Sequence, residues 1–188
     1  IDEETGEEKY FKGGLFNEIV FDESIQEFLN IRERLADYFD ESHEEDVFNY
    51  IPPQETNQIY TPKQVVKMMV DKLEEEDPHI FEDPDRTFID LFMKSGLYIT
   101  ELVKRLFNNP VMKGKIPDNE KRLKHILENQ LYGLAPSDII YHIATNYIFS
   151  FDTGNTIDRK NFKCVDTRPA VKNGKLNELL EETFDDEK

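Results

Sequence analysis

The sequence predicts an α/β fold, a parallel sheet whose strands are joined by crossover helices. Three observations carry this. Short apolar runs of strand length, near residues 87–91, 131–134 and 162–166, alternate with segments of helical periodicity. The intervals between the runs are long enough for a crossover and too long for a hairpin. Pro52-Pro53, Asn108-Asn109-Pro110, Pro136 and Gly154 punctuate the junctions.

Taken in order, residues 1–52 read as an acidic helical extension. Their first 23 residues lack helical spacing, and Leu15 to Phe21 is a candidate short strand. Ser24 and Glu27 have capping-box spacing, and Ile25, Phe28, Leu29, Leu35 and Phe39 follow at helical intervals until the acidic stretch Asp40 to Asp46. Residues 53–171 carry the α/β pattern. Thr61, Pro62 and Gln64 are placed to start a helix as N-cap, first residue and capping-box partner, with Val65, Val66, Met69, Val70 and Leu73 as its buried face.

Thr87 to Leu91 is the first strand, Met93 to Gly96 a turn, and Leu97 to about Phe107 a helix ended by Asn108-Asn109-Pro110. A helix over roughly 118–129 leads into the second strand, Leu131 to Leu134. Pro136 starts the next helix, with Ile139, Ile140, Ile143 and Ala144 inward, and Asp138 is expected to cap it. Phe162 to Asp166 is the third strand, with Cys164 buried in its middle. Residues 172–188 form a short polar helix and an acidic tail.

Composition narrows the function. The chain of 188 residues carries 40 Asp and Glu against 23 Lys and Arg, a net charge of -17. Residues 1–50 hold 16 of those acids and 4 of the bases. Such a balance opposes a phosphate-binding surface. The exception is a basic island, Lys113, Lys115, Lys121, Arg122 and Lys124, read as a solvated loop. No apolar run reaches the roughly 18 residues of a membrane span, and a cytoplasmic location is expected. A single cysteine excludes an internal disulfide. His43, His79, His125 and His142 are scattered and lack cysteine partners at zinc spacing.

The strongest local signal for chemistry is Phe88-Ile89-Asp90-Leu91-Phe92-Met93-Lys94-Ser95-Gly96-Leu97-Tyr98. A strand ends in an acid, and a small-residue turn leads into a helix. Ligands of open parallel sheets bind beyond the carboxyl ends of the strands. The Ser95-Gly96 turn allows close backbone approach, and the next helix offers free N–H groups to an anion. Asp90 is either a ligand's hydrogen-bond acceptor or a turn former. Thr61 is either an anion-holding residue or a plain N-cap, and Asp166 either a ligand contact or a turn residue.

Asp90 to Gly96 resembles the Asp-Pro-x-x-Gly-Ser-Gly motif of amino-group DNA methyltransferases, and more closely the Lys-Ser-Gly variant of large restriction-modification enzymes. Gln58-Ile59-Tyr60-Thr61-Pro62, Leu131 to Pro136 and Phe162 to Thr167 resemble, in order, the family's motifs before its first strand and at its second and third strands. The resemblance covers about residues 50–170. It implies an incomplete Rossmann-like sheet of an S-adenosylmethionine-dependent N6-adenine DNA methyltransferase, with the first three parallel strands present.

The resemblance also implies residue roles. Thr61 would help hold the methionine carboxylate, with Tyr60 beside it as a further cofactor-binding residue, and Asp90 would face the methionine ammonium. Phe92, Lys94, Ser95 and Gly96 would wrap the cofactor. Leu134 would pack on the adenine ring, Ala135 would stand at the ribose, and Asp166 would accept a hydrogen bond from the adenine amino group. The chain departs from the family at Lys94, where Gly is usual, and at Ala135, where an acid usually grips the ribose hydroxyls. It lacks the Asn/Asp-Pro-Pro-Tyr/Phe catalytic motif. Asn109-Pro110-Val111 and Pro52-Pro53-Gln54 stand in the wrong places for one. The chain is therefore expected to be an inactive piece of a longer DNA-methylating transferase. DNA would be contacted by parts outside it, and nuclease or helicase modules would share the polypeptide. Two other classes fit the residues alone. One is a non-catalytic acidic interaction module. The other is a nucleotide-binding α/β enzyme that uses Asp90 to Gly96 as a phosphate loop.

Overall fold

A computed structural model describes residues 37–40, 61–152 and 154–184. The readings of the candidate strand at 15–21, of the Ser24 helix up to residue 36, of the Pro52-Pro53 boundary and of Tyr60 lie outside these residues. Within them the chain is α/β, with three parallel strands in the order β1-β2-β3. Strand β1 is Phe88–Asp90, β2 is Leu131–Ala135 and β3 is Phe162–Cys164. Asp90 stands opposite Gly133, and Ala135 opposite Cys164, so the carboxyl ends of all three strands share one edge.

Helix α1 (Lys63–Glu76) precedes the sheet. Between β1 and β2 lie α2 (Leu97–Asn108), α3 (Pro110–Lys115), α4 (Asn119–His125) and a π-helical turn, Ile126–Gln130. Helix α5 (Asp138–Ile148) joins β2 to β3, and α6 (Arg168–Lys172) and α7 (Leu176–Phe184) follow. The expected crossover architecture is therefore present. The Asn-Asn-Pro break also starts a helix. Asn109 accepts the Val111 and Met112 N–H groups at 2.8 and 3.3 Å, with Pro110 in the first helical position. Asp118 caps α4 through the Lys121 N–H at 2.8 Å. Residues 37–40 form a turn closed by Asp40 N–H to the Asp37 carbonyl, so Asp37 to Phe39, read as helical, are not.

The core lies where α2, α4 and α5 meet one face of the sheet. Ile99, Leu102, Val103 and Leu106 form the buried stripe of α2 at helical spacing. They join Leu131, Ala135, Ile140, Ala144 and Phe162 in one cluster. Gly133 lies in β2 beneath it. A Cβ there would come 2.8 Å from Met93 Sδ and 2.9 Å from Phe162 Cδ1. Gly133→Ala is expected to destabilise the fold by about 1–3 kcal/mol, read as a lower urea midpoint; an unchanged midpoint would show that Met93 and Phe162 move aside freely.

Several expectations are corrected. Pro62 precedes α1 as its N-cap without a side-chain bond, so Thr61 does not cap. Val65, Met69 and Ile139 are exposed, not inward. In α1 the buried residues are Val66 and Val70, and among the described elements α2 is its main packing partner. Ser137, not Asp138 or Pro136, precedes the first residue of α5. Cys164 ends β3 and is exposed. The basic island is helical in large part, and Arg122 is buried within it.

Helix α1 is fastened to α2 largely by charge. The Arg105 guanidinium bonds Asp71 and, at 2.8 Å, Glu74 of α1. It also reaches Glu101 of its own helix at 3.0 Å, and Glu101 pairs with Lys104 at 2.5 Å. No described helix is long and apolar enough to cross a membrane.

Candidate functional site

The carboxyl edge of the sheet gathers most of the residues singled out above. Asp90 ends β1, and its Oδ1 accepts the Phe92 N–H at 3.0 Å. Burial raises the Asp90 carboxyl above its usual value, and the Phe92 bond offsets part of that rise. The half-buried phenol of Tyr98 is raised too, first by burial and then by the Asp90 charge. Tyr98 lies in the first turn of α2, at the end of the segment singled out above, which assigned it no role of its own.

The loop after Asp90 is stitched to its surroundings. The Met93 N–H donates to the Leu134 carbonyl at 2.7 Å, and the Leu97 N–H to Ser95 Oγ at 3.3 Å. Gly96 has φ 84°, a left-handed conformation that glycine accepts at least cost. A Cβ on it would meet Ile148 Cγ1 at 3.0 Å and the Ala144 carbonyl at 3.2 Å. The missing side chain therefore admits α5, and the close approach expected for a ligand is made there by a helix. Lys94 is half-buried, and its Nζ lies 5.8 Å from the Phe92 ring centre. Among the described residues Asn155 is the non-glycine at positive φ, so the backbone at Lys94 does not require glycine.

Thr61 is exposed at the amino end of α1, with its hydroxyl not engaged in capping. Lys63 and Val66 border a narrow cleft with Leu97 and Thr100, which sets the amino ends of α1 and α2 side by side. Leu134 and Ala135 are fully buried. Ala135 belongs to the core cluster, so an acid at that position would be driven into apolar surroundings. Asp138 lies one turn onward, where its carboxylate accepts the Cys164 thiol. Asp166 follows β3, and both of its oxygens are held by the Arg168 guanidinium at 2.8 Å. That pairing keeps the Asp166 carboxyl below the usual range.

Part of this chain is similar to an uncharacterized adenine-specific methylase from Mycoplasma pneumoniae. The two are 27% identical over 95 residues, half of this chain. The matched stretch spans 22% of that protein's length. No protein-family model matches the chain, and no solved structure does.

Asp90, Phe92, Lys94, Ser95 and Gly96 thus form one continuous loop, tied to Leu134 by a backbone bond and to the segment after Asp166 by the Thr167 hydroxyl, which donates to the Leu91 carbonyl at 2.7 Å. Thr167 was quoted from sequence only as the end of the third-strand motif, and Arg168 was not singled out. The signal available was the Asp166-Thr167-Arg168 spacing, which allows an acid to accept the N–H and guanidinium two residues on. A separate cavity of about 500 Å³ lies on the other face of the sheet, between Ile89, Tyr132, Lys163 and the Leu180 and Phe184 side chains of α7. It includes none of these loop residues.

Proposed function

We propose that this chain is the S-adenosylmethionine-binding part of a DNA adenine-N6 methyltransferase of a restriction-modification system. The observation that carries the reading is Asp90, a half-buried carboxylate at the end of the first parallel strand whose burial raises its pKa. A carboxylate so placed gains most from a ligand that brings its own positive charge, as the ammonium of a methionine moiety does. The partial likeness to an adenine-specific methylase supports the same reading.

The residues present fit this cofactor. Asp90 would hold the ammonium, and the exposed Thr61 hydroxyl at the amino end of α1 would meet the carboxylate. Phe92 and Asp166 would take the base end, one as an apolar platform and the other as an acceptor. Asp138, whose side chain does not cap α5, stands near the position from which an acid would reach ribose hydroxyls. S-adenosylmethionine supplies a methyl group on a sulfonium, ready for in-line transfer to an amino nitrogen. These residues would bind and orient it. The sequence holds no Asn/Asp-Pro-Pro-Tyr/Phe acceptor motif, so binding without turnover is expected of these 188 residues.

Calorimetric titration with S-adenosylhomocysteine tests the reading. Saturable binding is expected, weakened about ten- to a hundredfold in Asp90→Asn through loss of a charge-assisted bond. Absence of heat, or saturation by ATP or a nicotinamide dinucleotide instead, would overturn it.

A further inference from the structure

The segment after β3 does not continue away from the sheet. β2 lies between β1 and β3, yet Thr167 reaches over its end to the Leu91 carbonyl and is itself 3% exposed. This anchors Arg168 above the loop that follows β1. The Arg168 guanidinium stands 5.2 Å from the centre of the Phe92 ring. Its Nε donates to Asp166 Oδ1 and its Nη2 to Oδ2, both at 2.8 Å, and its backbone N–H donates to Oδ1 at 3.1 Å. One planar cation therefore meets an aromatic ring and donates to both carboxylate oxygens.

A flat, amino-bearing heterocycle would use the same two groups, stacking on the ring and donating to the acid. A guanidinium imitates it because it too is planar, delocalised and a donor in its own plane. We infer that Arg168 is a built-in competitor for the base end of the crevice, occupying Phe92 and Asp166 until an adenine-bearing ligand displaces it. The inference rests on the proposed reading of those two residues as ligand contacts. Displacement is within reach, because the Arg168 side chain is 67% exposed and exposed ion pairs and cation–π contacts are weak. The tether at Thr167 leaves the backbone in place while the side chain swings out.

Calorimetry with S-adenosylhomocysteine on the wild type, Arg168→Ala and Arg168→Lys tests this. Arg168→Ala is expected to bind about three- to tenfold more tightly than wild type. Arg168→Lys is expected to tighten binding similarly, since a point charge neither stacks as a plane nor grips both oxygens. Circular dichroism should show all three equally folded, as the residue is exposed. Binding by wild type with equal or weaker binding by Arg168→Ala would overturn the competitor role alone. Tightening in Arg168→Ala but not in Arg168→Lys would make it a plain charge effect and overturn it as well. No binding by any of the three would overturn the methyl-donor reading and, with it, this inference.

Discussion

At pH 7, Asp90→Asn is expected to raise the melting temperature of this protein while it removes most of its affinity for S-adenosylhomocysteine. The folded state raises the Asp90 carboxyl above its ordinary value, chiefly through burial. Such a group binds its proton more tightly folded than unfolded. Below the ordinary carboxyl value both states are protonated and nothing is lost. As pH climbs from there through the raised folded value, the unfolded chain ionises first and stability falls. The deficit then persists at neutral pH. Asparagine stays neutral and can still accept the Phe92 N–H, so the deficit disappears in the variant. Thermal melts at pH 7 and pH 3 check the sign, with Asp90→Asn the more stable at the first and equal to wild type at the second. A variant less stable at pH 7 would mean that the Asp90 charge is already compensated within the fold. Stability given up at one buried charge is what a site reserved for a cationic ligand requires.

The largest loss of stability is expected at Arg122. Its side chain is 2% exposed and makes no carboxylate pair among the described bonds; instead it serves main-chain carbonyls. Nε donates to the Phe107 carbonyl at 3.1 Å. Nη1 donates to the Ile116 and Pro117 carbonyls at 2.7 and 3.2 Å. Nη2 donates to Asn119 Oδ1 at 2.6 Å, and the guanidinium lies 4.3 Å from the Phe107 ring centre. One residue thus joins the end of α2, the turn after α3 and the start of α4. Arg122→Met would fill part of the volume but orphan several buried acceptors, each at a cost of about 1–3 kcal/mol before relaxation. A net loss of about 3–5 kcal/mol is expected, roughly 10 °C in melting temperature for a chain of this size. Arg122→Lys should restore less than half of it, because an ammonium cannot span four acceptors. A loss under about 1 kcal/mol in urea denaturation would show that water replaces the guanidinium.

Local pattern carried the sheet and its crossovers into view. Phe88–Asp90, Leu131–Ala135 and Phe162–Cys164 are short β-rich runs between breakers, and their strand identity needs little from the rest of the chain. Which face a residue takes depends on partners far away in sequence. Val65, Met69 and Ile139 look as apolar as Val66 and Ile140, and only packing separates them. Arg122 reads as one more charge in a basic run, because the carbonyls it serves come from three different elements. Ala135 looks like a missing acid until its side chain is seen in the core. The loop from Asp90 to Gly96 was legible because it is contiguous. Thr167 and Arg168 were not, since their relation to Leu91 and Phe92 exists only once β3 is laid down beside β2.

The manner in which α1 is held has a consequence for its amino end, where Thr61 stands. Two valines and a fan of carboxylates around Arg105 secure this helix, and Asp71 and Glu74 are 45% exposed in their side chains. Ion pairs this exposed weaken as electrolyte is added, whereas an apolar core does not. Helix α1 is then expected to loosen from α2 as salt rises, and the end bearing Thr61 with it. On the proposed reading of Thr61 as a ligand contact, ligand affinity would fall with added salt even where no charge on the ligand is involved.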